Sequence, residues 1–239
     1  MLGGRGMIGL IVPSNNTVIL PEFYSALPDG VTAYETRMRV EGELTPELLR
    51  RMVVDAEAAA DLLRQTGVDF IGYCCMASSI VKGWDWERDL LSRFSAKARK
   101  GATSANAALT DALNALGAKR VALLTPYPPD LNALLPAFFS ARGFEVTQVS
   151  GTPVREVAAV RGLPPERILH TARGLGAAGM DAVCLLATDM QTFPIIEPLE
   201  REIGLPVVTS NQALLWASLR ALGLGEAIGG LGKLLTLVR

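Results

Sequence analysis

The chain has 239 residues, 49% of them hydrophobic, enough for one large α/β domain or two small ones with a substantial core. Lys and Arg total 23 against 24 Asp and Glu, with no block of like charges, which argues against nucleic acid or another polyanion as partner. The longest apolar runs, MIGLIV and AVCLLA, fall far short of the ~20 residues of a bilayer span, and no signal-peptide pattern opens the chain, so a cytoplasmic protein with no membrane partner is expected.

In chain order, an apolar strand is expected over 7–12 (MIGLIV), followed by the polar loop PSNNT, and a second strand over 31–36. A helix over 46–66 precedes a strand over 69–75, which ends on Cys74 and Cys75 and opens into the small residues MASS. Helices over 84–98 and 104–117 lead to a strand over 120–125 (RVALLT) and the proline-rich loop PYPPD. A helix over 130–142 and a strand over 144–149 follow, and then 152–166, TPVREVAAVRGLPPE, reads as a surface excursion. The chain continues with a helix over 165–178, a strand over 182–187 running into ATDMQ, a helix over 194–203, a strand over 206–209 and a helix over 210–221. The closing GGLGKLLTLVR is apolar enough to dock on the body.

Short apolar runs alternating with longer helical stretches are the pattern of parallel sheets flanked by helices, an α/β fold. TGVDFIGYCCMASS and AGMDAVCLLATDMQ share a glycine two residues before an aspartate, then an apolar strand and a polar turn; GMIGLIVPSNNT and KRVALLTPYPPD share a strand followed by proline and a polar loop. Two pseudo-twofold-related domains are expected, one from 1–115 plus 210–239 and one from 116–209, with ligand at the carboxyl ends of the strands between them.

Chemistry is therefore sought at the strand ends. PSNNT offers neutral donors able to hold a carboxylate, although a turn and helix cap explain the same residues. Cys74 and Cys75 alternate in facing, so one packs and the other reaches the cleft; Cys75, which closes the strand, is the candidate. Tyr127 is held rigidly among prolines, and Thr188 and Asp189 occupy the matching turn of the second half. Cys184, inside an apolar run, reads as core, and His170 as a solvated helix residue with no nucleophile motif beside it. Trp84 and Trp86 are expected to cover the cleft. Three cysteines and one histidine form neither a disulfide framework nor a zinc motif, so reduced thiols and no metal are expected.

IGLIVPSNNT, DFIGYCCMASS, RVALLTPYPPDLN, ATDMQT and GLPVVTSNQALLW, in this order, resemble the aspartate/glutamate racemase superfamily, and within it the branch of maleate cis-trans isomerases and arylmalonate decarboxylases. The resemblance implies two α/β domains around a cofactor-free site, each domain normally giving one cysteine from a strand end. It places Cys75 on the first cysteine position, Asn16 on the asparagine of the isomerases' motif and Tyr127 on a carboxylate-holding tyrosine. Ala187 stands at the second cysteine position.

That departure counts against ordinary racemization, which needs an acid and a base on opposite faces of one carbon. The leading expectation is a maleate-type cis-trans isomerase acting on a small unsaturated dicarboxylate through Cys75, with Asn16 and Tyr127 as its other catalytic residues. Ser14, Met76, Ala77, Ser78, Ala187, Thr188 and Asp189 are expected to line the substrate. The alternatives are a cofactor-free decarboxylase with Cys75 as proton donor and a non-catalytic dicarboxylate-binding protein. Arg37 and Arg39 either supply a cation for a second carboxylate or mark a solvated strand edge. A homo-oligomer is expected.

Overall fold

The computed structural model describes residues 3–43, 45–175 and 178–238. In the first half, β1 (Gly6–Pro13), α1 (Ile19–Ala26), β2 (Val31–Met38), α2 (Pro46–Thr66), β3 (Phe70–Tyr73), α3 (Met76–Lys82), α4 (Trp84–Ser95), β4 (Ala102–Ser104) and α5 (Ala105–Ala115) follow one another. The second half runs β5 (Arg120–Thr125), α6 (Pro129–Asn132), α7 (Leu135–Ser140), β6 (Glu145–Gly151), α8 (Pro165–Arg173), β7 (Ala182–Leu185), α9 (Ile196–Ile203) and β8 (Val207–Thr209), with 3-10 turns at Val157–Gly162 and Phe193–Ile195. α10 (Ser210–Ala221) and α11 (Gly232–Thr236) close the chain.

Among the described residues there are two four-stranded parallel sheets, ordered β2-β1-β3-β4 and β6-β5-β7-β8. The second order is the first advanced by four strands, as the paired sequence halves predict. β1, β3, β5 and β7 read as continuous apolar runs because helices cover both faces of each sheet. α10 leaves β8 of the second sheet and packs against α5 and β3 of the first. The end of the chain docks as its composition suggests: Leu231, Leu234 and Leu235 are buried, and Gln212 Nε2 donates to the Leu231 carbonyl at 2.6 Å.

Local signals fix the boundaries. The Thr45 hydroxyl accepts from the Leu48 N–H at the start of α2, and Gly67, in the left-handed conformation, ends that helix. Thr209 and Gln212 form a reciprocal capping box at α10. The structure departs from the sequence pattern in several places. α1, the three-residue β4 and α11 lie where no element is expected, the helix expected over 130–142 is broken into α6 and α7 at residues 133 and 134, and the one expected over 165–178 ends at Arg173. Residues 176 and 177 of that last expectation lie outside the described residues.

Segment 152–166 is more than a surface excursion. Glu156 forms an isolated antiparallel bridge with Glu43, and Val154 N–H donates to the Pro126 carbonyl at 2.8 Å. Val160 is buried, and Arg161 Nη1 donates to the Asn15 carbonyl at 2.9 Å. The segment thus crosses from the second half to the first over the strand ends. Trp84 and Trp86 do not cover the cleft; Trp84 stacks on Phe138 with centroids 4.3 Å apart and donates Nε1 to its carbonyl, joining the halves elsewhere, while Trp86 packs on Tyr73. Among the described residues no helix is long and apolar enough to cross a membrane.

Candidate active site

The carboxyl ends of β1, β3, β5 and β7 converge on one cavity of about 440 Å³ with its open mouth included. Cys75, Met76 and Ala77 reach it from β3 and α3, Tyr127 from the loop after β5, and Ala187, Thr188 and Asp189 from the turn after β7. Seven of the residues expected to meet substrate are therefore brought together from the two sheets.

Cys75 closes β3 as the residue before α3 and is 6% exposed. Its neighbour is different. Cys74 is fully buried, and its thiol donates to the Gly72 carbonyl at 3.5 Å, so the alternation of a strand assigns one sulfur to packing. Burial pushes the Cys75 thiol above its ordinary range, and hydrogen bonds from the Ser78 hydroxyl and N–H and from the Tyr73 phenol oppose that rise by favouring the thiolate. The negative charge of Asp189 pushes the same way as burial. Cys184 is buried in β7, and burial holds its thiol far above the usual range.

Ser78, expected to touch substrate, is fully buried; its hydroxyl shares a 2.7 Å hydrogen bond with the Tyr73 phenol and donates to the Cys75 carbonyl at 3.3 Å. It thereby ties the backbone of Cys75 to Tyr73. Ser14 is likewise spent, exchanging hydrogen bonds with the backbone of Val40 at 3.0 and 3.1 Å.

Asn16, expected among the catalytic residues, is engaged elsewhere in this structure. It is 1% exposed and does not line the cavity. Its amide oxygen accepts from the N–H groups of Val18 and Ile19 at the start of α1, and its Nδ2 donates to Thr188 Oγ1 at 3.1 Å. The residue that faces the cavity from this loop is Asn15, whose side-chain oxygen and nitrogen are both buried with no partner among the described residues. Adjacent turn residues point to different sides, so the dipeptide Asn15-Asn16 announces a polar strand end without saying which amide faces inward.

Tyr127 is 4% exposed, and its backbone is clamped: its N–H donates to Thr125 Oγ1 at 3.1 Å and Asn132 Nδ2 donates to its carbonyl at 2.9 Å. Burial, with the charges of Asp189 and Cys75, holds its phenol protonated as a donor. Thr188 accepts from Asn16 and donates to the Cys74 carbonyl at 2.8 Å, tying the two strand-end turns together.

Ala187 carries the sole positive φ of a non-glycine among the described residues, 120°. Side chains with a Cβ rarely occupy that region, and such strain collects at functional turns. Its N–H donates to Ser210 Oγ at 3.0 Å. Asp189, two residues on, is partly buried, and desolvation raises its carboxyl to about 7 against the opposing pull of Arg161 and its own N–H.

The rest of the wall is apolar: Val40, Leu49, Met52 and Val160 close the side of the cavity that faces α2 and the crossing segment. None was singled out by sequence, since Leu49 and Met52 follow the ordinary core spacing of an amphipathic helix and Val160 lies in the irregular stretch. Arg37 and Arg39 do not line the cavity. Arg37 Nη1 donates to the Ser14 and Asn16 carbonyls at 3.1 and 2.8 Å, and the Arg39 N–H donates to Asp55. Among the described residues no cationic side chain lines the cavity.

The family model described as arylmalonate decarboxylase matches residues 8–235. A maleate isomerase from Pseudomonas putida is 32% identical over 243 residues, covering 96% of each chain. The crystal structure of a cysteine-to-alanine variant of a Pseudomonas putida maleate isomerase with maleate superposes with a TM-score of 0.92 at 29% identity, over 97% of each chain. A cysteine-to-serine mutant of Nocardia farcinica maleate cis-trans isomerase, with a covalently bound succinylcysteine intermediate, gives a TM-score of 0.91 at 30% identity over 97% of this chain and 98% of that one.

Proposed function

The chain belongs to the arylmalonate decarboxylase family, and on that footing we propose that it is a cofactor-independent cis-trans isomerase of a small unsaturated dicarboxylate of the maleate type. The observation that carries the reading is the placement of Cys75 at a strand end, in one cavity with Tyr127, Asn15 and the turn 187–189 of the opposite half.

The Cys75 thiolate adds to one alkene carbon. The π electrons move onto the neighbouring carbon and its carboxylate, and neutral donors stabilise the enediolate that develops. The Tyr127 phenol and the Asn15 amide are the donors aimed into the cavity. With the double bond reduced to a single bond, the adduct turns about it, and expulsion of the thiolate leaves the trans alkene. The succinylcysteine in the Nocardia farcinica variant supports addition of a cysteine sulfur to the alkene, because a saturated thiol adduct forms there although one cysteine has become serine. Incubation with maleate, followed by NMR, tests the proposal: fumarate is the expected product, and its absence at micromolar enzyme and millimolar substrate rejects it.

The apolar wall of Val40, Leu49, Met52 and Val160 favours a second reading, decarboxylation of a disubstituted malonate whose hydrocarbon group rests there while Cys75 protonates the enediolate. Chiral analysis of the product from a prochiral malonate separates the two. Three free cysteines suit a reducing cytoplasm. The expected homo-oligomer is part of the proposal, supported by Val54 and Leu62, which are exposed on α2; light scattering of the purified chain checks it.

A further inference from the structure

We propose that Asp189 is the proton carrier of the second half, working on the carbon next to the one that Cys75 attacks, in a chain whose Ala187 has no thiol to offer there. The proposal rests on the isomerase reading and concerns the same cavity.

Three observations meet. Ala187 and Asp189 line the cavity together from the turn after β7, while Cys75 enters from the other sheet, so a flat substrate between them meets sulfur and carboxyl from different halves. Asp189 is the sole carboxyl among the residues lining that cavity, and Arg161, whose charge acts on it, donates to the Asn15 carbonyl at 2.9 Å. Burial has moved this carboxyl to about 7, where it both gives and takes a proton readily. Protonated, it also ceases to oppose ionisation of Cys75.

The atoms balance with one proton shared by the pair, carried on Asp189 while Cys75 is a thiolate. The S–C bond forms at the first alkene carbon, the π pair moves to the second, and the Asp189 proton passes to that carbon to give a saturated succinyl thioether. Rotation by about 120° about the new single bond brings the original hydrogen of the second carbon to Asp189 and carries the carboxylate to the trans side. Asp189 removes that original hydrogen, the C–S bond breaks, fumarate leaves with the delivered hydrogen retained, and the hydrogen now on Asp189 exchanges with solvent through the emptied cavity before the next substrate binds.

The geometry therefore gives an isotopic signature. Maleate turned over in D2O by the unmodified chain is expected to yield fumarate with one carbon-bound deuterium per molecule, read by NMR and mass spectrometry. Asp189→Asn is expected to slow isomerization by about 100-fold or more, the typical worth of a positioned acid or base. Asp189→Glu is expected to retain more activity than Asp189→Asn, and adding Ala187→Cys to Asp189→Asn restores part of the loss by supplying a thiol at the same turn. Fumarate free of deuterium, or an Asp189→Asn variant as fast as the parent, overturns the proposal while leaving the isomerase reading intact. Failure of the unmodified chain to make any fumarate overturns both.

Discussion

The side-chain amide of Asn16, after β1, donates across the two halves of the molecule to the hydroxyl of Thr188, after β7, at 3.1 Å. Because the same hydroxyl donates to the carbonyl of Cys74, the residue before Cys75, at 2.8 Å, three strand ends are fixed relative to one another. Thr188→Val keeps the shape and removes both bonds, leaving a buried amide N–H and a buried carbonyl unpaired. A loss of about 2 kcal/mol in urea unfolding is expected, together with lowered kcat, since the thiol and the opposite turn lose their common reference.

Replacement of the two adjacent cysteines is expected to give opposite results. Cys75→Ser lowers kcat by about a thousandfold or more, because a neutral hydroxyl is a far weaker nucleophile, and mass spectrometry then finds no substrate-derived adduct. Cys74→Ala keeps most of the turnover and costs about 1 kcal/mol of stability through the lost packing of one buried sulfur.

Tyr127→Phe tests the neutral anion site. Removal of one hydrogen bond to a carboxylate or its enediolate is worth about 1.5–3 kcal/mol, so kcat/KM is expected to fall by about 10- to 100-fold with the fold unchanged by circular dichroism. A larger fall in kcat than rise in KM places the phenol on the developing charge; the reverse places it on the ground-state carboxylate.

Stability is expected to decline as pH rises from 5 to 8. Glu22 on α1 is 8% exposed and accepts from the Thr192 and Phe193 N–H groups at 2.6 and 2.9 Å and from Asn211 Nδ2 at 2.6 Å, yet desolvation raises its carboxyl from 4.5 to about 7. Below about 4.5 the group is protonated folded or unfolded. Between 4.5 and 7 the unfolded chain releases its proton first and gains, and above about 7 the folded state bears the whole cost, on the order of 3 kcal/mol. Asp189 acts in the same direction over the same interval. Urea unfolding at pH 5, 6, 7 and 8 measures the slope, and Glu22→Gln, which cannot ionise, flattens it.

Ala187→Gly reverses the usual sign of an alanine-to-glycine change. At a φ of 120° the Cβ is a liability, so thermal unfolding is expected to show a gain of about 1 kcal/mol despite the added freedom of the unfolded chain.

Much of this architecture is legible in the residues, and the limits have physical causes. The repeated strand-turn pairs expose the duplicated sheet, because strands covered on both faces must be apolar throughout and their ends must be polar. Cys75 is separable from Cys74 by alternation alone. Asn15 and Asn16 are not separable in this way, since a turn has no fixed period, and the amide that caps α1 is the one that sequence places on the substrate. β4 is three residues long and its hydrophobic signal is drowned by the helix it feeds. The apolar wall is invisible for another reason: Leu49 and Met52 have the spacing of a core face whether that face meets protein or ligand.

The alanine opposite Cys75 also sets how the site ages under oxidants. A strand-end thiol oxidised to sulfenic acid is ordinarily rescued by a second thiol that closes a disulfide, which reductants then reopen. Here Cys74 turns its sulfur to the Gly72 carbonyl, Cys184 is sealed inside β7, and the facing turn carries a methyl group. Return of an oxidised Cys75 to the thiol therefore depends on a thiol supplied from outside the chain.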